Sequence, residues 1–326
     1  MPIDALPILI VGGAGYIGSH MVLTLQQAGY TPIVLDNLVK GHGDAVRSAG
    51  LIVGTMQDEH LLEQLFSQHR FAAVMHFASF IEVGESVKNP LKYYENNVAA
   101  SLILLKKMIQ HNVRSFIFSS TAAVYGEPEY TPIDEHHPIR PINPYGRSKA
   151  MIEQILQDLV VGHELNFASL RYFNAAGADP QGHLGERHEP ESHLIPLVLQ
   201  VAQGKKEHIT IHGRDYPTKD GTCIRDYIHV TDLCGAHLLA LQALFDGEQQ
   251  LIANLGTGRG YSVQEVIDVA KKVTQCPIAT ITGPRRSGDP AILVANPHFA
   301  MERLGWIPHY SDLETIIQHA WNFVSR

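Results

Sequence analysis

Near the start of the chain, a glycine-rich turn lies between an apolar run and a helical pattern. Residues 8–11 are apolar, Gly12, Gly15 and Gly18 follow them, and apolar residues then recur at helical spacing to residue 29. The order of strand, Gly-x-x-Gly-x-x-Gly and helix is typical of a tight turn whose backbone approaches a pyrophosphate. Glycine suits these positions because a side chain would obstruct that approach. The turn therefore predicts a dinucleotide-binding βα unit.

The first half of the chain alternates short apolar runs with longer helical patterns. This rhythm predicts an α/β fold, a Rossmann-type doubly wound parallel sheet, with a smaller, irregular α/β lobe at the C-terminal side. We expect a first domain over residues 1–176, a return segment over 228–257, and a second lobe over 177–326. The runs that predict strands cover residues 8–11, 33–35, 51–53, 74–77, 116–119, 167–171 and 251–254.

An acidic residue follows the glycine turn at the sequence distance that is typical of a contact with the adenine ribose. Asp36 ends the second predicted strand, 18 residues after Gly18. A carboxylate there can accept hydrogen bonds from the adenine ribose and repels a 2′-phosphate, which favours NAD over NADP. We expect Tyr16, Ile17 and Asn37, which border these positions, to contact the same cofactor.

A tyrosine and a lysine four residues apart are the candidate catalytic pair. Tyr145 and Lys149 share one face of a helix predicted to begin near residues 143–144. A free phenol titrates near ~10, so a tyrosine that acts as a base at neutral pH needs nearby positive charge, which Lys149 can supply. Thr121 follows a predicted strand at the same sheet edge and can hydrogen-bond the oxygen that loses its proton. The three residues predict proton transfer to and from a hydroxyl group.

Composition narrows the classes of partner. The formal net charge of -8 provides no basic surplus for a nucleic acid or an anionic membrane. Three cysteines without close spacing fit a reducing compartment, so we expect a cytoplasmic protein. Three of the 19 histidines, His183, His188 and His193, are five residues apart, a spacing that gives no shared helical face, so we predict no metal site.

Several segments together resemble one enzyme family. They are HFA (76–78), VGES (83–86), YYENN (93–97), SSTAAVYG (119–126), RYFN (171–174), DYPT (215–218) and RDYIHV (225–230). With the glycine turn and the Tyr145/Lys149 pair, they resemble the extended short-chain dehydrogenase/reductase family, and within it the UDP-glucose 4-epimerase branch. The resemblance covers nearly the whole chain. It implies interconversion of UDP-galactose and UDP-glucose by transient oxidation at C4 with tightly bound NAD, and it implies a homodimer.

The resemblance also implies roles for individual residues. Around the cofactor it places Phe77, Ala78, Asn96, Ser119 and Tyr172, with Asn96 and Tyr172 near the nicotinamide. Around the UDP-hexose substrate it places Asn174, His193, Leu194, Arg225, Arg286 and Asp289. Arg225 and Arg286 would clamp the diphosphate, a role that suits the bidentate guanidinium group, and Asp289 would accept from the uridine ribose.

Other activities remain as alternatives. Nucleotide-sugar dehydratases need an acid and a base after the threonine, whereas Ala122 and Ala123 stand there and cannot transfer protons. Epimerases acting on UDP-N-acetylglucosamine or UDP-glucuronate are not excluded, and Leu293 leaves acceptance of N-acetylated sugars open. A catalytically silent NAD-binding sensor is the alternative outside enzymes, although Tyr145 and Lys149 are both retained.

Overall fold

The computed structural model describes residues 6–46, 48–163, 165–286 and 288–326. Residues 1–5 of the predicted first domain lie outside these ranges. The strands are β1 (Ile8–Val11), β2 (Pro32–Asp36), β3 (Gly50–Val53), β4 (Ala73–His76), β5 (Ser115–Thr121), β6 (Asn166–Tyr172), β7 (Asn174–Ala176), β8 (Ile209–His212), β9 (Ile224–His229), β10 (Gln250–Leu255), β11 (Gly260–Ser262), β12 (Thr280–Gly283) and β13 (Ile292–Leu293).

Helices lie between these strands, and in the first half of the chain the two kinds of element alternate. The helices are α1 (Tyr16–Gln27), α2 (Glu59–Gln68), α3 (Val83–Lys88), α4 (Pro90–Tyr93), α5 (Ala100–Gln110), α6 (Pro144–His163), α7 (Leu194–Ala202), α8 (Val230–Phe245), α9 (Val263–Thr274), α10 (His298–Leu304) and α11 (Leu313–Val324). A π-helical stretch, Tyr94–Ala99, joins α4 to α5. Among the described residues, no helix has both the length and the apolar character needed to cross a bilayer.

Seven strands form the main sheet, in the order β10-β6-β5-β4-β1-β2-β3. β1 pairs in parallel with both β2 and β4, so the strand order reverses at β1. Ligands of such sheets bind beyond the carboxyl ends of the strands at this switch point. All four residues of β1 and of β4 are buried, as expected for strands covered by helices on both faces. The predicted Rossmann-type sheet is confirmed.

The chain divides into two compact units. The first contains Met1–Gly126, Pro138–Arg171 and Cys234–Ala253, and the second contains Glu127–His137, Tyr172–Leu233 and Asn254–Arg326. The second unit therefore includes residues 127–137 and 172–176, which lie before the expected boundary at 176. Tertiary pairing explains this, because Ile133 bridges to Ala295 and β7 pairs with β9.

The second unit has smaller sheets than the first unit, and its order of elements is less regular. Its larger sheet has the order β11-β9-β13 with β7 also paired to β9, and β8 and β12 form a separate parallel pair. Helices α7, α9 and α11 supply an apolar core that includes Val198, Val266 and Ile317. A capping box at Ser262 and Glu265 begins α9. These features confirm the predicted irregular α/β lobe.

Candidate functional site

The glycine turn forms a close backbone cradle at the end of β1. Gly12 has φ +80°, and a Cβ there would lie 2.5 Å from the backbone nitrogen of Ala78. A Cβ at Gly18 would lie 2.2 Å from the carbonyl oxygen of Gly12. Gly15 is the N-cap of α1, whose first residues are Tyr16 and Ile17, so the amide groups at the helix start are available to an anion. Glycine at positions 12 and 18 therefore lets the turn pack directly against the backbone after β4 and against the start of α1.

Asp36 is fixed beside this turn. One carboxylate oxygen accepts from the backbone nitrogen of Ala14 at 2.9 Å, and the other accepts from the nitrogen of Leu38 at 2.8 Å. The next residue, Asn37, is exposed and accepts from the nitrogen of Val39 at 3.1 Å. A negative charge is therefore held at the position from which it would repel a 2′-phosphate.

Three further predicted cofactor positions follow β4 along the chain. Phe77 and Ala78 follow β4, and the nitrogen of Phe77 donates to the carbonyl of Val11 at 2.7 Å. Asn96 lies in the π-helical stretch, where its amide donates to the side-chain oxygen of Asn97 at 3.0 Å. π-Helical turns often occur at functional sites because they change the direction of side chains.

Tyr145 and Thr121 meet at the carboxyl end of β5. Tyr145 is the second residue of α6, and its buried phenol is hydrogen-bonded to the hydroxyl of Thr121. Thr121 also accepts from the nitrogen of Ala123 at 3.1 Å, which fixes its rotamer. Burial raises the pKa of Tyr145 to about 12, and the Thr121 hydroxyl acts in the opposite direction. The phenol is thus protonated at neutral pH in this structure.

Lys149 is buried one helical turn beyond Tyr145. Its Nζ donates to the Ser79 hydroxyl at 2.8 Å and to the Ser119 carbonyl at 2.6 Å, and it lies 4.7 Å from the centre of the Phe118 ring. Burial lowers the pKa of Lys149 to about 7, while the charge of Glu153 raises it. Through these two hydrogen bonds, the ammonium group links the segment that follows β4 with strand β5.

In the second unit, three predicted substrate residues lie on or beside β9. Arg225 is on β9 and forms an ion pair with Asp289, while its second terminal nitrogen donates to the Ile224 carbonyl at 2.7 Å. Asn174, on β7, donates to the carbonyl of Asp226 at 3.1 Å. The structure thus brings the guanidinium group and the carboxylate together, and places the amide near the same strand.

The remaining positions in this unit are more dispersed. Arg286 is exposed in the loop after β12, and the nitrogen of Asp289 donates to its carbonyl at 3.3 Å. Tyr172 ends β6 and is half-buried. Leu293 is on β13, paired in register with Arg225. The predicted diphosphate clamp of Arg225 and Arg286 stays a prediction.

His193 belongs to a cluster that spacing did not predict. Ligand atoms of Glu186, His188, Glu191 and His193 all lie within 4.8 Å of one another, before α7 and its first residue Leu194. Glu186 pairs with Nδ1 of His188 at 3.1 Å and with Nδ1 of His193. His183 pairs elsewhere, with Asp179 at 3.4 Å.

Charge pairing accounts for this cluster. Although burial raises the pKa of Glu186, the two histidines lower it to about 2. Burial lowers the pKa of His188, but its hydrogen bonds with Glu186 and Glu191 raise it to about 9. The pKa of His193 is also raised, since Glu186 outweighs desolvation. Two imidazoles and two carboxylates can bind a metal, but here a metal would have to displace ring protons at neutral pH.

The chain is similar to known proteins over most of its length. The profile of the NAD dependent epimerase/dehydratase family matches residues 8–256. The chain belongs to this family. Among its relatives in the family, a UDP-glucose 4-epimerase from Halalkalibacterium halodurans is 53% identical over 316 residues, which is 97% of this chain and 95% of that protein.

Solved structures of family members have the same fold. A UDP-glucose 4-epimerase from Brucella ovis in complex with NAD superposes with a TM-score of 0.95 at 46% identity, covering 97% of this chain and 98% of that one. The UDP-Glc/GlcNAc 4-epimerase from Campylobacter jejuni has a TM-score of 0.85 at 43% identity, covering 98% of this chain and 99% of that one.

Sequence reasoning missed two polar partners of the catalytic pair. Ser79 accepts from Lys149, but its position after β4 gave no separate signal. Glu153 lies one further turn along α6 and accepts from the hydroxyl of Ser120 at 2.6 Å. The four-residue spacing of Tyr145, Lys149 and Glu153 places them on one helix face, so the pattern could have indicated Glu153.

Proposed function

We propose that this chain epimerises C4 of UDP-hexoses, interconverting UDP-galactose and UDP-glucose with tightly bound NAD. The single observation that carries the proposal is the buried pairing of Tyr145 with Thr121 at the end of β5, the strand whose Ser119 carbonyl anchors the ammonium group of Lys149, in the unit that also contains the glycine cradle. The family and the relatives at about half identity agree with it.

The glycine turn and Asp36 fit NAD. Gly12 and Gly18 allow the tight turn between β1 and α1, the start of α1 provides amide groups for a pyrophosphate, and Asp36 suits an unphosphorylated ribose. Bound NAD supplies reversible oxidation of the sugar C4 and, in its oxidised form, a positive charge near the phenol. Phe77, Ala78, Asn96, Ser119 and Tyr172 are the further proposed contacts.

Tyr145 is the proposed acid and base. It removes the proton of the C4 hydroxyl when C4 is oxidised, and it returns a proton when C4 is reduced on its other face. Thr121 donates to the phenol oxygen, which stabilises the phenolate, and it can hydrogen-bond the C4 oxygen. Lys149, held by Ser79 and the Ser119 carbonyl, contributes a positive charge in its protonated form, and this charge lowers the free energy of the phenolate.

Residues of the second unit are the proposed UDP-binding groups. Arg225 and Arg286 provide guanidinium groups for the diphosphate, assisted by Asn174 and by His193 before Leu194. Asp289 would exchange its ion pair with Arg225 for the uridine ribose hydroxyls. We also propose a cytoplasmic homodimer. The free thiols of Cys223, Cys234 and Cys276 support the reducing compartment.

N-acetylated sugars are a second candidate substrate class. The Campylobacter jejuni relative, 43% identical, is described as acting on both UDP-Glc and GlcNAc. Leu293 is half-buried on β13, next to Arg225 in the paired register. A side chain of this size leaves more room than an aromatic ring for an N-acetyl group.

Anomeric-proton NMR of the purified protein with UDP-galactose tests the proposal. We expect UDP-glucose to accumulate to an equilibrium mixture, and Tyr145→Phe, which removes only the hydroxyl, to abolish conversion. UDP-N-acetylgalactosamine and UDP-glucuronate are assayed in parallel to define the substrate class. Turnover of UDP-glucuronate alone would contradict the proposed substrate, and bound NAD without turnover of any sugar would favour a silent sensor.

A further inference from the structure

A buried polar network lies beneath the catalytic pair. Glu153 accepts from the hydroxyls of Ser120 at 2.6 Å and Ser169 at 2.8 Å through the same oxygen. Arg171 donates to both carboxylate oxygens, at 3.0 Å and 2.5 Å, and its remaining terminal nitrogen donates to the Tyr125 hydroxyl at 3.0 Å. All five side chains are buried, so each of these hydrogen bonds is shielded from water.

The Ser120 contact links this network to the reacting groups. Ser120 stands in β5 between Ser119, whose carbonyl accepts from Lys149, and Thr121, whose hydroxyl meets Tyr145. Glu153 follows Lys149 by four residues on α6. The hydrogen bond between Ser120 and Glu153 therefore adds a link, away from the reacting groups, between the helix that carries the tyrosine and the lysine and the strand end that holds Thr121 and the Ser119 carbonyl.

We propose that Glu153 is a positioning residue for the proposed C4 epimerisation: it holds the carboxyl end of β5 against α6, so that Thr121 and the Ser119 carbonyl stay aligned with Tyr145 and Lys149. Ser169 makes the same kind of contact with Glu153 from β6, a strand without a catalytic residue. The proposal rests on the proposed function.

Glu153 also acts on Lys149 through its charge. Around the Lys149 ammonium lie Ser79 after β4, and Ser119 and Phe118 on β5. His76 on β4 also interacts with it electrostatically but is neutral, because burial lowers its pKa to about 3. Glu153, itself paired with Arg171, is the carboxylate that raises the pKa of Lys149 against burial. Without it, the lysine loses its proton at lower pH.

Two serine variants form a matched pair that tests the positioning role. Ser120→Ala and Ser169→Ala each remove one buried hydrogen bond to the same oxygen of Glu153, so we expect similar falls in Tm. Ser120→Ala should lower kcat for UDP-galactose about tenfold with KM within twofold, whereas Ser169→Ala keeps kcat within twofold. Equal kcat values for the two variants would overturn the proposal.

Glu153→Gln tests the charge with the pH profile of kcat. We expect the alkaline limb to move about one pH unit lower, because Lys149 must remain protonated. A profile of unchanged shape and position contradicts the charge role, and if this variant does not fold, the serine pair still decides. Failure of the proposed function is distinguishable, since the unaltered chain would then not turn over UDP-galactose at all.

Discussion

The hydroxyl of Thr121 serves two purposes at the site. It accepts from the nitrogen of Ala123, which fixes its direction, and it is hydrogen-bonded to the Tyr145 phenol, to which it can donate once the phenol has lost its proton. Burial alone would make ionisation of that phenol still less favourable than its pKa of about 12 indicates. A donor to the phenolate is therefore part of what makes Tyr145 usable as a base.

Replacing Thr121 tests this contribution. Thr121→Val preserves shape but removes the donor, so we expect kcat for UDP-galactose to fall by about 10- to 100-fold, with a much smaller change in KM. Thr121→Ser retains both hydrogen bonds and should keep kcat within about threefold of the unaltered chain. Steady-state kinetics measure both, and a fully active valine variant would remove Thr121 from the mechanism.

At the scale of elements, glycine is required around α1 for two reasons, a positive φ angle and close approach of other backbone atoms. These reasons can be separated by comparing Gly12, before the helix, with Gly29, after it. Gly12 and Gly29 have similar positive φ values, +80° and +86°. A Cβ at Gly12 would collide with the backbone of Ala78, whereas one at Gly29 would meet no atom within 4 Å. A side chain would strain the backbone at both positions, but only at Gly12 would it also collide with neighbouring atoms.

Alanine at each glycine separates strain from collision. Gly29→Ala should lower the free energy of unfolding by about 1 kcal/mol through strain alone and keep bound NAD. Gly12→Ala should lower it by several kcal/mol more, or displace β1 from the residues after β4, and lose NAD. Thermal unfolding and the NAD content of the purified proteins measure these effects. Equal losses in the two variants would mean that the cradle is not tightly packed.

The loop before α7 links stability to pH. The lowered pKa of Glu186 stabilises the fold above pH 4.5, and this contribution is lost as pH falls towards 2. The raised pKa of His188 stabilises the fold fully below pH 6.5, and this contribution is lost as pH rises through 9. The cluster is therefore most stabilising between about pH 4.5 and 6.5.

Urea unfolding at pH 6.5 and pH 9 tests the alkaline side of this range. We expect the cluster to make the free energy of unfolding fall by about 1–3 kcal/mol over this range. Glu186→Gln should remove most of that dependence, because it removes the carboxylate that holds both imidazoles. Glu207→Gln removes an equal charge from an exposed position and should leave the dependence unchanged. The same slope in all three proteins would contradict the pairing.

The sequence predicted what depends on local spacing. The glycine turn, the end of β2 at Asp36 and the helix face of Tyr145 and Lys149 all follow from neighbouring residues. Ser79, which accepts from Lys149, is 70 residues away from it in the chain, and Glu186 reaches His188 and His193 only because the loop folds back on itself. Periodicity encodes neither contact. The grouping of His188 with His193 was missed for this reason, since their spacing suits no helix and only the loop conformation brings them together.

At the scale of the whole molecule, apolar side chains remain exposed on one helical region of the first unit. Val87 on α3, Leu91 on α4, Leu102 on α5 and Met151 on α6 are exposed, with Leu91 at 72%. Scattered exposed apolar residues are ordinary, but several on adjacent helices are typical of an association surface. Helices α3 and α4 contact α6, and α5 contacts the π-helical stretch 94–99, which itself contacts α6. This surface supports the proposed homodimer.

Charge substitution on that surface tests the homodimer. Met151→Glu would bury a carboxylate on each subunit of a two-fold interface, so we expect it to dissociate the dimer, whereas Ile307→Glu changes an exposed apolar residue of the second unit and should not. Sedimentation equilibrium should give twice the 36.0 kDa chain mass for the unaltered protein and for Ile307→Glu, and the single chain mass for Met151→Glu. A monomeric unaltered chain would contradict the homodimer. A dimeric Met151→Glu would instead place the interface elsewhere, because a symmetric contact repeats every unfavourable charge twice.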